Sequence, residues 1–331
     1  MLHLDALALR RRLPFDTLIE ALRRMMLSGC EVPPRVSHAI GKNGTVLVMP
    51  AWRRGGPEGS RFGIKTVTIY PANGERGLPA VHAVYALFDA ETGVPLALLD
   101  GSELTARRTA AVSALAASFL ARADATRLVV VGAGRVAALV PEAMRSVLAE
   151  LRQVTVWNRH PAAAAALAER LRSEGWAAEP STDLEAAIRQ ADVVSCATLA
   201  TVPLVHGQWL RVGSHLDLIG GFTPLMREAD SECLARGRVY VGSDEAMLKA
   251  GDLVQAVAEG RFEPILLQGT LQQLCRGSRA GRGDDGEITV FKSVGSALED
   301  LATAELAVAA ADNPLPASAF SAKPSHAPSS P

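Results

Sequence analysis

The stretch that most constrains this chain is Leu128 to Ala137, Leu-Val-Val-Val-Gly-Ala-Gly-Arg-Val-Ala. An uninterrupted apolar run of strand length suits a parallel strand buried on both faces. The run meets Gly-x-Gly and then a helical pattern. Gly132 permits a tight turn, Gly134 lets backbone approach a pyrophosphate, and Ala137 stands where a third small residue brings helix and strand together. The turn Ala133, Arg135, Val136 would then aim the free N–H groups of the following helix at the phosphates. Gly-x-Gly-x-x-Ala also occurs as an ordinary glycine turn, so the reading rests on what surrounds it.

A second strand, Val154–Trp157, follows a helix-length segment, Val136–Leu151, which makes a βαβ unit. The end of that second strand meets the adenosine ribose. Asp or Glu there binds the 2′-hydroxyl of NAD, whereas Arg accommodates the 2′-phosphate of NADP. This chain has Asn158, Arg159 and His160 and no carboxylate. The expected cofactor is NADPH, with NADH as the other candidate; a merely solvated Arg159 is the plainer alternative. The alternation continues with a helix near Leu184–Gln190, a strand Asp192–Ala197 and a strand Ser214–Ile219 ending in Gly220-Gly221. Together these predict an α/β, Rossmann-type, doubly wound dinucleotide domain. Thr198, just past the Asp192 strand, is either a cofactor contact or a turn hydroxyl.

A length of 331 residues suggests two domains. With a formal net charge of −1 and 5% aromatic residues, nothing here is basic enough for a nucleic-acid partner. The short basic segment Arg276–Arg282 is Gly-rich and soon followed by Asp284-Asp285, as in a solvated loop. Cys30, Cys196, Cys233 and Cys275 are scattered, without Cys-x-x-Cys or metal-ligand spacing. That pattern fits reduced thiols in a cytoplasm and no bound metal. No signal-peptide pattern opens the chain and no apolar stretch is long enough to span a membrane. The tail, residues 313–331, is rich in Pro, Ser and Ala and is expected to be disordered.

The N-terminal part has another texture. Phe15–Leu27 carries helical periodicity. Short β segments follow at Thr45–Met49, Phe62–Tyr70, Ala80–Asp89 and Pro95–Asp100, with turns at Asn73-Gly74 and Glu91-Thr92-Gly93. This predicts an antiparallel sheet in a second domain. Lys65, inside an apolar strand, is either an edge gatekeeper or an anion binder facing a pocket. His82 sits among apolar neighbours, where a satisfied core or surface histidine is the default. A helix opens near Ser102 and runs to about Arg122, with Ser102 or Thr105 as its cap. Arginine near a helix start opposes the dipole unless an anion compensates it. One of Arg107 and Arg108 is therefore expected to face a bound carboxylate or phosphate; a pair of solvated arginines is the plainer alternative.

With these residues in view, the chain resembles the ornithine cyclodeaminase/mu-crystallin family over roughly residues 5 to 312. The matching stretches are Pro34-Arg35-Val36, Gly63-Ile64-Lys65, Thr92-Gly93-Val94-Pro95 and Leu99-Asp100-Gly101. Leu104-Thr105-Ala106-Arg107-Arg108-Thr109-Ala110-Ala111 and Val131-Gly132-Ala133-Gly134 follow. Ala191-Asp192-Val193-Val194, Arg227-Glu228-Ala229-Asp230 and Phe291-Lys292-Ser293-Val294-Gly295 complete the set. The resemblance implies a discontinuous α+β substrate and dimerisation domain, residues 1–105, with the nucleotide domain, 106–292, inserted before a returning helix, 293–312. It implies a homodimer formed through the substrate-domain sheets. By motif position, Arg35, Lys65 and Arg108 match the family's substrate-carboxylate binders, and Val294 and Gly295 lie near the nicotinamide.

One departure directs the functional expectation. The family's cyclodeaminases carry an acid/base Asp two residues before the Pro that follows Gly-Gly; here Phe222 occupies that position in Gly220-Gly221-Phe222-Thr223-Pro224. Phenylalanine moves no proton. The pattern is most similar to the family's cyclic-imine reductases, which implies hydride reduction of Δ1-pyrroline-2-carboxylate to proline or of Δ1-piperideine-2-carboxylate to pipecolate. Phe222 would then favour a ring and exclude water, and His82 is a candidate proton donor or relay. The rival readings are an NAD-dependent cyclodeaminase, an NADP-dependent dehydrogenase of a linear amino acid, and an NADPH-binding protein without turnover.

Overall fold

The computed structural model describes residues 1–56 and 59–312; the tail read as disordered lies outside the described residues. The chain starts with β1 (Leu2–Leu4), α1 (Ala6–Arg12) and α2 (Phe15–Ser28). Five strands follow: β2 (Val36–Ile40), β3 (Gly44–Arg53), β4 (Arg61–Ile69), β5 (Val81–Asp89) and β6 (Pro95–Asp100). Helix α3 (Gly101–Leu120) leads to β7 (Arg127–Val131), α4 (Val140–Arg145), β8 (Gln153–Trp157), α5 (Pro161–Ser173), β9 (Ala177–Ser181), α6 (Leu184–Gln190) and β10 (Val193–Cys196). Then come β11 (His215–Leu218), α7 (Ser231–Arg236), β12 (Arg238–Val241), α8 (Ala246–Lys249), α9 (Gly251–Ala258), β13 (Gly269–Thr270), α10 (Leu271–Cys275), β14 (Thr289–Lys292) and α11 (Ala297–Asp312).

The strands form two sheets. The first has six strands in the order β1-β6-β5-β4-β3-β2 and is antiparallel except for the β1–β6 edge. The second has eight strands in the order β13-β12-β14-β11-β10-β7-β8-β9, and every pair in it is parallel. The apolar run read as a doubly buried strand is so: Leu128–Val131 in β7 is buried throughout, as are β10, β11 and β14, the last not read as a strand from the sequence. From β7 the chain winds outward through β8 and β9, then returns to β10 on the other side of β7. This reversal of winding opens a crevice at the carboxyl ends of β7 and β10, where open α/β sheets bind ligands.

Helix α3 joins the two bodies. It is buried on nearly every side and packs against β5 of the first sheet and against β11 and β14 of the second. Helix α11, leaving β14, returns to α2, α3, β3 and β4, so residues from both ends of the described chain build one body around the inserted parallel sheet. In the first sheet Lys65 lies opposite Met49 on β3 and Tyr85 on β5, and Tyr85 lies opposite Leu99 on β6. All four are buried on the face toward the helices.

Several local expectations are corrected. The segment expected as a continuous helix over 136–151 is regular only at α4; Pro141, which cannot donate, sits in its first turn. The cap of α3 is Asp100, whose carboxylate accepts the Glu103 N–H at 2.8 Å. Ser102 instead accepts the Ala83 N–H of β5. Asn73-Gly74 lies in a 3-10 turn, Pro71–Arg76, in place of a two-residue hairpin. Strands β1 and β2 carry no apolar alternation long enough to announce them. Among the described residues no helix is long and apolar enough to cross a membrane.

Candidate active site

Gly132 closes β7 with φ +120° and donates its N–H to the Trp157 carbonyl at 2.8 Å. A Cβ there would stand 2.6 Å from the Ala197 carbonyl oxygen at the end of β10. Both the turn and the close approach of two strand ends demand glycine. Around Gly134 there is open space, with nothing within 4 Å of a built Cβ. Gly134 and Arg135 are exposed, Ala133 and Val136 half-buried, and Ala137 fully buried. The first helical bond of this turn is Ala138 N–H to Gly134 carbonyl at 3.0 Å, so the N–H groups just before it lack that partner. The arrangement fits a dinucleotide pyrophosphate. At the end of β8 the Asn158 side chain accepts the His160 N–H at 2.9 Å and leaves Arg159 exposed beside the glycine turn.

Thr198 is explained by a neighbour that sequence reading did not join to it. Its N–H and hydroxyl both donate to Glu228 Oε1, at 2.7 and 2.8 Å. Glu228 is fully buried, and burial pushes its carboxyl up to about 8 against the pull of Lys292. Lys292, at the end of β14, donates to the Gly220 carbonyl and stands 3.0 Å from Asp252. Asp252 in turn accepts the N–H groups of Glu228 and Ala229. This buried group of Glu228, Lys292 and Asp252 underlies Gly220-Gly221, the turn that presents half-buried Phe222.

The other half of the site is cationic. Arg108, not Arg107, turns into it. Arg107 donates twice to the Leu13 carbonyl and stacks on Phe15, 4.4 Å from the ring centroid. Arg108 reaches α11, meeting Glu299 at 2.9 Å and Asp300 at 3.0 Å. Lys65, 2% exposed, meets the other oxygen of Asp300 at 2.6 Å. Burial pulls the Lys65 ammonium down to about 8 even though Asp300 opposes the shift. Arg35 donates to Glu245 at 3.1 and 2.6 Å and to the Gly295 carbonyl at 2.7 Å. Gly295 has φ +72°, and a Cβ on it would stand 2.7 Å from the Arg108 guanidinium. Arg35 and Arg108 thus touch the same residue, one step beyond Val294, which is 9% exposed at the end of the parallel sheet.

The structure therefore brings Arg35 and Arg108 together at Gly295, beside Val294 on the β14–α11 connection, and joins Lys65 to Arg108 through Asp300 on α11. Gly132, Ala133, Gly134, Arg135, Val136, Asn158, Arg159, Thr198 and Phe222 line the carboxyl edge of the same parallel sheet. His82 is not brought there. It is exposed, pairs with Thr68, and by strand alternation projects from the face of the first sheet opposite to Lys65 and Tyr85. The acids Glu245, Glu299 and Asp300 were not foreseen. The one signal for any of them is Ser296-x-x-Glu299, which reads as a capping box; Ser296 N–H does donate to Glu299 at 3.1 Å.

The profile of the ornithine cyclodeaminase/mu-crystallin family matches residues 8–312. A Δ1-pyrroline-2-carboxylate reductase of Paracoccus denitrificans is 41% identical over 259 residues, covering 78% of this chain and 81% of the relative. Among solved structures, the Δ1-pyrroline-2-carboxylate reductase of Thermococcus litoralis in complex with NADH and L-proline superposes with a TM-score of 0.89 at 32% identity. That match covers 94% of this chain and 98% of the other. An archaeal alanine dehydrogenase dimer with bound NAD matches with a TM-score of 0.87 at 29% identity, covering 94% and 96%.

Proposed function

The chain belongs to the ornithine cyclodeaminase/mu-crystallin family, and we propose that it is an NAD(P)H-dependent reductase of a cyclic imine carboxylate, Δ1-pyrroline-2-carboxylate or its six-membered homologue. The observation that carries this reading is the meeting of Arg35 and Arg108 at Gly295, with Lys65 joined to Arg108 through Asp300, next to the carboxyl edge of a dinucleotide-type sheet. The likeness to reductases of that name supports it. Arg35, Lys65 and Arg108 hold the substrate carboxylate, arginine through paired bonds and lysine as a point charge. A bound dihydronicotinamide supplies the hydride for the C=N carbon. Gly132, Gly134 and the following turn hold its pyrophosphate, and Arg159 takes a 2′-phosphate, which makes NADPH the preferred cofactor. Phe222 covers the ring and keeps water from the imine. The nitrogen gains its proton from water as an iminium, since His82 lies on the far face of the sheet. Held by its carboxylate beside the sheet edge, the imine carbon is oriented without any covalent contribution from the protein.

The partner in this reading is a second copy, joined through the outer face of the first sheet, and the four free thiols fit a cytoplasmic setting. The decisive assay follows NADPH absorbance with purified protein and each cyclic imine, with NADH in parallel. Oxidation accompanied by proline or pipecolate is the expected result. Nucleotide binding without oxidation of either imine overturns the reading and directs the assay to ammonia release from ornithine.

A further inference from the structure

Arg35 is occupied in this structure. Its Nε and Nη2 meet the two carboxylate oxygens of Glu245, the two-point fork with which arginine takes any carboxylate. The partners come from different bodies. Arg35 lies in the unpaired run between the Glu31–Trp52 bridge and β2, and Glu245 lies in the turn that opens α8 beside the parallel sheet. Lys249, one helical turn on, also donates to Glu245. Lys65 and Arg108 are held differently. Their carboxylates, Glu299 and Asp300, are wholly buried on α11 within one packed body. The Arg35–Glu245 pair is more accessible, with side chains 14% and 28% exposed, and it bridges the two bodies between segments of little regular structure.

Resting on the reading of Arg35 as a substrate-carboxylate binder, we propose that Glu245 is an internal competitor for the substrate's carboxylate, holding the Arg35 fork until a 2-imino or 2-amino acid displaces it. The fork offers one bidentate edge toward Glu245, because Nη2 is also engaged by the Gly295 carbonyl. A ligand carboxylate and Glu245 therefore exclude one another at that edge. The apparent affinity for the ligand is lowered by the fraction of molecules in which Arg35 is still held. Small anions that offer a single oxygen displace Glu245 poorly, so the pair also selects for a true carboxylate.

Calorimetric titration of pyrrole-2-carboxylate, a planar ring acid that accepts no hydride, tests this with the oxidised cofactor saturating. Glu245→Gln, which keeps the shape and removes the charge, is expected to bind about three- to tenfold tighter than wild type. Arg35→Ala is expected to bind at least about tenfold weaker, and adding Glu245→Gln to it should recover nothing. If Glu245→Gln binds equally or more weakly while Arg35→Ala still loses affinity, the competitor is overturned and Glu245 is a residue that aims Arg35. If Arg35→Ala binds as wild type, the failure lies in the underlying assignment of Arg35.

Discussion

Lys65 illustrates how burial changes what a residue does. An ordinary lysine is charged far above neutrality, but here burial draws the ammonium down to about 8. Under the proposed function, a carboxylate ligand would lose one of its three cations as the pH rises through that value. Pyrrole-2-carboxylate, which does not titrate there, should weaken by up to about tenfold per pH unit above 8, as read by calorimetry; a flat profile to pH 10 would remove Lys65 from the carboxylate site. Asp217 makes the opposite case. It sits in mid-β11, where its carboxylate accepts from the Ser113 hydroxyl at 2.9 Å and the Ser195 hydroxyl at 2.6 Å, and burial lifts its carboxyl to about 6. Its folded value lies above the unfolded one, so the folded state holds more protons, and stability drops as the pH climbs from about 4 to about 6 and stays lower beyond. Asp217→Asn should therefore stabilise the fold more at pH 8 than at pH 5, by about 1 kcal/mol in denaturant titrations. Arg159 carries the cofactor expectation: Arg159→Ala should lower kcat/KM with NADPH at least about tenfold and leave NADH nearly unchanged. Equal losses would end its 2′-phosphate role. The cations of the site were legible as misfits, a lysine in an apolar strand and arginines at a helix start. Their acids were not, because Glu299 and Asp300 in a first helical turn look like ordinary dipole compensation.

At the scale of elements, the glycines carry the most consequence. Gly132 must hold φ +120° and let β7 and β10 end within contact of each other. Gly132→Ala strains the backbone by about 1–3 kcal/mol and pushes Ala197 away. It is expected to weaken nucleotide binding about tenfold or more in a fluorescence titration, with a lowered melting temperature; unchanged binding would show that this turn does not cradle the pyrophosphate. Strands of the parallel sheet were readable because burial on both faces demands continuous apolar runs, and β7, β8, β10 and β11 fall within a residue of expectation. The short β1 and the fully exposed β2 were not readable, since their pairing is decided by the neighbour they lie beside. Likewise the region after Gly134 has helical periodicity but yields only the short α4, because Pro141 and the turn that faces the crevice set its start.

At the scale of the whole molecule, the first sheet has one face covered by α3 and α11 and another that bears apolar residues outward. Val36, Ile40 and Val84 are 46%, 42% and 52% exposed on that second face. Such a face is a candidate for pairing with a second copy. Val84→Asp should halve the mass seen by light scattering and leave the circular dichroism spectrum intact. A dimer that persists would move the contact elsewhere.

The apolar run from Leu128, the glycines after it and the short turn-punctuated β segments between residues 45 and 100 determined, without coordinates, that a doubly wound nucleotide sheet stands beside a smaller antiparallel one. Those are local signals, set by periodicity and by backbone that only glycine adopts. What only tertiary structure decided was which arginine enters the site, that Thr198 serves Glu228, and that His82 faces away. It also decided that Arg35, Lys65 and Arg108 each already have a carboxylate partner within the chain. Such facts depend on groups far apart in the chain, Arg35 with Glu245 and Arg108 with Asp300, whose pairing follows from packing two bodies against α3 and has no signature in sequence spacing.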